Sequence, residues 1–334
     1  MQKEIAKEYP HPREEQFAQE IIDIINRSLE RDYGRGKYLR RFHVKSHGLV
    51  EAELKVEESL PPDLQVGLFK TCKTYKAWVR FSNASLKPES DEKKAVRGMA
   101  VKVLEVDDTA TEKDGPGNSQ DIVLTTNNVF FPGTVDMQVA AIKAVLGNPR
   151  QKIQGSLRLI LSLQFGRLFK FLEGRVKPAS VLEQCYASLT PYLFGQGKAV
   201  KWHARPVKAA GSTQAAPAGK DYLRKRLIED LKYSHHKFDL CVQFQSDPLK
   251  QPVEDASIEW RTPLVKVGTI TILQQEFDNE ERNRLDQAIS FSPWHSMAVH
   301  RPLGGINRMR RRIYDTLSKY RRNQSPGPSA TPGV

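Results

Sequence analysis

Arg310 and Tyr314 lie four residues apart in INRMRRRIYDTLSKYRR (306–322). On a helix they are neighbours on one face. Arg321, seven residues beyond Tyr314, returns two turns later to nearly the same face. Met309, Ile313, Leu317 and Tyr320 form an apolar stripe beside it. The plain reading is a basic amphipathic helix with a tyrosine at its shoulder. The chemical reading is a phenolate that ligates a metal: a ferric ion and a neighbouring guanidinium both favour the charged form of tyrosine. Far upstream, Arg40 and His43 stand in RRFHVKSHGLVEAEL (40–54), and Arg80 and Ser82 in WVRFSNAS (78–85). Histidine suits proton transfer. His43 and His47 have HxxxH spacing, which converges on a helix. The segment reads as a strand, where that spacing makes no zinc site.

These residues need a sizeable frame, and 334 residues supply it. Hydrophobic residues are 39% and charged residues 27%, so neither a disordered chain nor a membrane protein is expected. No apolar run approaches the roughly 18 residues of a membrane helix. MQKEIAKEYPHPREEQ has no apolar core of a secretory signal. Cys72, Cys185 and Cys241 are scattered with no CxxC, so a reduced, cytoplasmic setting is expected. The net charge of +13 fits nucleic acid, a membrane surface or small anionic ligands.

Helical spacing of Phe17, Ile21, Ile24, Ile25 and Leu29 predicts a helix over 14–32. From about 38 the pattern turns to strands: LVEAELKV, AWVRFS, GMAVKVLEV and QDIVLTTNNVFF, separated by polar turns. Stripes at spacing three and four predict helices in VDMQVAAIKAVLG, SLRLILSLQFGRLFKFLEG and SVLEQCYASLT, all within 134–196. Residues 205–222 read as a loop. KFDLCVQFQ, SIEW and VKVGTITILQQEF read as strands, NEERNRLDQAI and Gly305–Arg322 as helices. The expected architecture is α+β, an antiparallel sheet or barrel with helices around it. One unit over 1–322 is expected, with 323–334 as a disordered tail.

Arg310-x-x-x-Tyr314 resembles the proximal R-x-x-x-Y of the haem catalases. RRFHVKS resembles the family's distal R-x-x-H-x-K-G, with Ser46 in place of Gly. VRFS (79–82), RGMAVKV (97–103) and DIVLTTNNVFF (121–131) are similar to its V-R-F-S, R-G-F-A-V-K-F and D-L-V-G-N-N-T-P-x-F-F, in the family's order. FSPWHSMAVHRPLGGINR looks like the small catalase-related proteins. The likeness covers about half the chain, mainly 38–131 and 265–322. It implies a minimal catalase-type antiparallel β-barrel holding haem b, with Tyr314 on the iron and Arg310 beside it. His43 takes the distal position and Ser82 holds its ring. Arg40, Arg80 and Arg321 take propionate-binding positions. Gapless alignment from Asp121 puts Thr125 where the family has its distal Asn, with Asn127 two residues on, so either is the candidate distal group.

The resemblance implies a haem b-dependent peroxidase or weak catalase that cleaves hydrogen peroxide or organic hydroperoxides, with an electron donor of unassigned identity. A fatty-acid hydroperoxide isomerase making allene oxides and a non-catalytic haem binder stay open. A nucleic-acid partner is not expected, because the propionates account for part of the basic charge; a homo-oligomer stays open. The apolar helices around 155–175 are expected in the core, with a place along the site as the alternative.

Overall fold

Alternation decides which side of the barrel becomes core and which carries the site. In the computed structural model, residues 3–34, 40, 42–106, 118–207 and 218–324 are described, with side chains described as far as Leu317. The elements are α1 (Glu14–Tyr33), β1 (Ser46–Val56), β2 (Thr74–Asn83), β3 (Arg97–Leu104), β4 (Ser119–Thr125), α2 (Val135–Leu146), α3 (Pro149–Leu161), α4 (Phe165–Glu173), β5 (Tyr186–Ala187), β6 (Tyr192–Leu193), β7 (Ala199–Pro206), α5 (Tyr222–Tyr233), β8 (His236–Phe244), β9 (Leu264–Ile272), α6 (Glu280–Ala288) and α7 (Gly305–Gln324).

Eight strands close an antiparallel barrel in the order β5-β4-β3-β2-β1-β9-β8-β7, with β5 pairing back on β7; β6 extends the edge beside β7. Val50, Val79, Val101 and Ile122 are successive cross-strand partners, as are Phe81, Met99 and Leu124. All are buried in the large core cluster, so this parity faces inward. The opposite parity carries Ser82, Gly98 and Thr125 in one row and Arg80, Ala100 and Val123 in the next. Side chains on a strand alternate in direction, so these rows face outward.

A second apolar cluster lies under the helices. Phe17, Ile21, Ile24, Ile25 and Leu29 of α1 pack with Val135, Val139 and Ile142 of α2 and with Ile306, Met309 and Ile313 of α7. As far as Leu317, the stripe read on the C-terminal helix is therefore its buried face, while the side chain of Tyr320 lies outside the described residues. Arg308 at the start of α7 pairs with Glu8, Glu14 and Glu254, which ties the helix to the N-terminal segment.

Five expectations are corrected. SVLEQCYASLT (180–190) is not a helix: a 3-10 turn at Val181–Glu183 leads into β5, because the barrel closes through Thr125↔Ala187 and Tyr186↔Ala204. SIEW (257–260) forms turns; Ser257 instead bonds the Asp255 carboxylate through its backbone N–H at 3.0 Å. Within the stretch read as a loop, β7 extends to Pro206 and α5 begins at Tyr222. Leu223, Leu227 and Leu231 of α5 are fully buried at spacing four, a helical stripe that the sequence reading passed over. Helix α7 also continues to Gln324, past the expected start of the tail at 323; residues 325–334 lie outside the described ones. The apolar residues of α3 and α4 are neither core nor site lining but largely exposed.

Leu227→Ala should lower the unfolding free energy by about 2–5 kcal/mol, since α5 is seated through this side chain. Chemical denaturation of the two proteins measures it.

Candidate functional site

The cavity lies between the outer face of β2, β3 and β4, the loop 290–295, and α7. The space it encloses, open mouth included, is about 1010 Å³. Arg40, His43, Arg80, Ser82 and Tyr314 all line it. Five of the residues singled out in sequence, spread over 275 positions, thus meet in one place.

His43 does not lie on a strand as its sequence context suggests. It has φ 55° and precedes β1, which begins at Ser46. A left-handed histidine is uncommon and marks a position the surroundings impose. Here the bend lays the ring over Gly98: a Cβ at Gly98 would come within 2.5 Å of the His43 ring atoms Cε1 and Nδ1. Nδ1 is 2.9 Å from Ser82 Oγ, and the His43 carbonyl accepts a hydrogen bond from Arg80 Nη1 at 3.1 Å. His47 goes the other way, with Nε2 at 2.7 Å from Asn83 Oδ1. Ser82 and Asn83 are consecutive on β2 and face opposite sides, so the two histidines diverge. Burial, then the positive charges of Arg80, Arg310 and Arg40, push His43 down to about 3. The ring is neutral at physiological pH.

On the opposite side, Tyr314 Oη accepts two hydrogen bonds from Arg310, from Nη2 at 3.0 Å and Nε at 3.3 Å. Burial works against the charge of Arg310, but Tyr314 and Tyr192 outweigh it and hold its pKa above the ordinary value. Arg321 is on α7, and its side chain lies outside the described residues.

The remaining candidates fall differently. Arg40 Nη2 donates to the carbonyls of Ile289 at 2.7 Å and Asp286 at 3.3 Å. Arg80 Nε is paired with Asp286 Oδ1 at 2.6 Å, so α6 supplies a carboxylate at a position read as a propionate partner. Thr125 and Asn127 are not among the lining residues. Thr125 Oγ1 donates to the Asn127 carbonyl at 3.1 Å and accepts from its N–H at 3.2 Å. Asn127 Nδ2 donates to the Phe171 carbonyl at 2.6 Å and so fastens α4. Neither expected distal group therefore reaches the cavity, and the side chains of both are engaged in local hydrogen bonds.

Sequence reasoning missed His295. It lines the cavity, with Nδ1 at 2.9 Å from Asp121 Oδ2. Burial would raise the Asp121 pKa, but Lys102 at 2.6 Å and His295 hold it below the usual carboxylate value. Asp121 and His295 are 174 positions apart, and no spacing rule joins them. Gly98 and Asp286 were also missed; Gly98 stood within a quoted motif, but what lay over it was not legible.

No protein-family model and no curated protein matches the sequence. Solved structures do match. A fungal catalase superposes with a TM-score of 0.61 at 19% identity, over 85% of this chain and 59% of its own. A bacterial catalase gives 0.63 at 19%, over 85% and 57%, and catalase A from Saccharomyces cerevisiae gives 0.59 at 17%, over 85% and 61%. The fold is that of the catalases. The chain spans about three fifths of the length of these catalases, and at this identity the likeness establishes the architecture alone. That architecture is the expected α+β barrel with surrounding helices. No described helix is long and apolar enough to cross a membrane.

The residues present fit a haem-type group on their own chemistry. A tyrosine oxygen that receives two guanidinium N–H groups is a suitable anionic iron ligand. It faces a cavity with apolar walls at Leu29, Phe42, Val123, Phe291 and Leu317, which suit a macrocycle, and with Arg40 at its edge for carboxylates.

Because the folded pKa of His43 lies below its unfolded value of about 6.5, the folded state binds fewer protons between the two. Its contribution to stability is complete above about pH 6.5 and is lost as pH falls toward about 3. The His43 Cε1 proton resonance should not titrate between pH 8 and pH 5. A midpoint near 6.5 would show that the ring is not held over Gly98 as described.

Proposed function

We propose that this chain is a haem b-dependent peroxidase with weak catalase activity, acting on hydrogen peroxide or organic hydroperoxides. The observation that carries the reading is that Tyr314, bonded twice by Arg310, shares one cavity with a neutral His43 that is held by Ser82. In this reading Tyr314 is the iron ligand, and Arg40 and Arg321 hold the propionates, with Arg80 contributing where Asp286 yields it. Haem b, when bound, supplies the redox centre at which the O–O bond is broken.

The protein's own part is proton handling and orientation. With Nδ1–H donated to Ser82 Oγ, the lone pair of His43 is on Nε2, so the ring takes a proton from the peroxide oxygen through that atom. Being a weak base, it gives the proton back readily to the departing oxygen. Gly98 admits the ring and the left-handed backbone aims it, so no reorientation is needed between the two transfers. Arg310 fixes the Tyr314 oxygen. An electron donor of unassigned identity supplies the reducing equivalents.

The apolar walls favour a second substrate class, larger organic hydroperoxides, over hydrogen peroxide alone. Rearrangement of a fatty-acid hydroperoxide to an allene oxide is the alternative outcome on that substrate.

Haem-loaded protein tested on hydrogen peroxide and on a fatty-acid hydroperoxide separates these readings. The expected result is donor-dependent consumption of both, with His43→Ala lowering turnover by about 10²–10⁴-fold. Allene oxide formed without a donor would assign the isomerase. Turnover unaffected by His43→Ala would overturn the role given to this residue, and no turnover of either substrate would leave a haem-binding protein.

A further inference from the structure

Helices α3 and α4 present their apolar faces to solvent. Ile153, Leu157, Ile160, Leu161, Phe165 and Phe169 are each between 53 and 69% exposed or, for Phe169, 72%. On α3 these residues lie opposite Gly155. That glycine seats the helix on α2 so closely that a Cβ there would meet the Ala140 carbonyl at 2.3 Å. The seat is thus made by the small, polar side of the helix, and the large aliphatic side points out.

Helix α4 is turned the same way. Its cations hold it to the body: Arg167 pairs with Asp255 at 3.0 Å and Lys170 with Glu259 at 3.5 Å. Its phenylalanines at 165 and 169 face away. Between the helices Leu163 has φ 51°, where glycine is at home, and its side chain is 74% exposed. A soluble surface rarely gathers this much apolar area without a use for it.

Charge indicates what covers the face. Residues 149–177 contain seven Lys and Arg and one Glu. Arg150, Lys152, Arg175 and Lys177, in or just after these helices, are exposed. A second copy docked face to face would set these cations against their own kind. Nucleic acid would use the cations but not the six large apolar side chains. An anionic lipid surface uses both, with apolar side chains entering the acyl boundary and cations lying at the headgroups. With 13 and 9 residues, α3 and α4 are too short to cross a bilayer.

We propose that α3 and α4 form an interfacial docking surface for anionic membranes. The surface stands apart from the haem reading, although the Asn127–Phe171 bond links α4 to the end of β4, beside the cavity floor.

Vesicle flotation of the full chain tests it, using phosphatidylcholine with and without phosphatidylglycerol. The protein should float with the anionic vesicles at low salt, at least about tenfold less with neutral ones, and less in 0.5 M salt by the same electrostatic reasoning, at roughly the range where screening is nearly complete. The variant Leu161→Ser/Phe165→Ser/Phe169→Ser, whose three sites are exposed, should fold normally by circular dichroism and lose at least about tenfold in binding. No flotation with anionic vesicles would overturn the proposal, as would a folded triple variant that floats like the parent. Self-association in the absence of lipid that the triple variant abolishes would overturn it in favour of a second copy.

Discussion

The absence of a side chain at Gly98 is the constraint on which the site depends. The outer rows of β2, β3 and β4 form its floor, and any Cβ at Gly98 would occupy the place of the His43 ring. The pleat then does the rest: Ser82 is the cross-strand partner of Gly98, so the serine that holds Nδ1 stands beside the opening that admits it. The inward parity of the same strands builds the barrel core. One alternation therefore specifies both stability and site, and a shift of one residue in β3 would destroy both.

Around that floor the cavity is strongly cationic. Arg40, Arg80 and Arg310 all act on His43, and burial magnifies them. Asp286 balances Arg80, and Arg40 is fixed by two backbone carbonyls, so two of the three are oriented by α6 and the turn after it. Arg310 differs, since it is spent on Tyr314. The result is an environment that keeps an imidazole neutral while it suits an anionic oxygen and a carboxylate-bearing ligand.

Much of this was legible in the sequence because it rests on local period. The i,i+4 relation of Arg310 and Tyr314, the stripe of α1 and the strand alternation of 49–56 and 98–106 all appear in the structure. What was not legible depends on distant pairing. The Asp121–His295 contact, the capture of Arg80 by Asp286 and the closing of the barrel through two-residue β5 leave no periodic trace. Thr125 and Asn127 show the opposite failure. Alignment put them at the distal position, but the chain turns after Thr125, whose hydroxyl bonds the Asn127 backbone, and the Asn127 amide reaches Phe171 of α4. The outward face of α3 and α4 misled for a related reason: an apolar stripe reports that a face seeks cover, not what covers it.

The central claim is that Tyr314 is the iron ligand, and resonance Raman spectroscopy of the haem-loaded ferric protein tests it most directly. The account predicts phenolate ring modes enhanced through the iron, present in the parent and in Phe42→Leu, and gone in Tyr314→Phe. A haem-loaded parent that shows no phenolate modes, or a Tyr314→Phe variant that retains them, would contradict it.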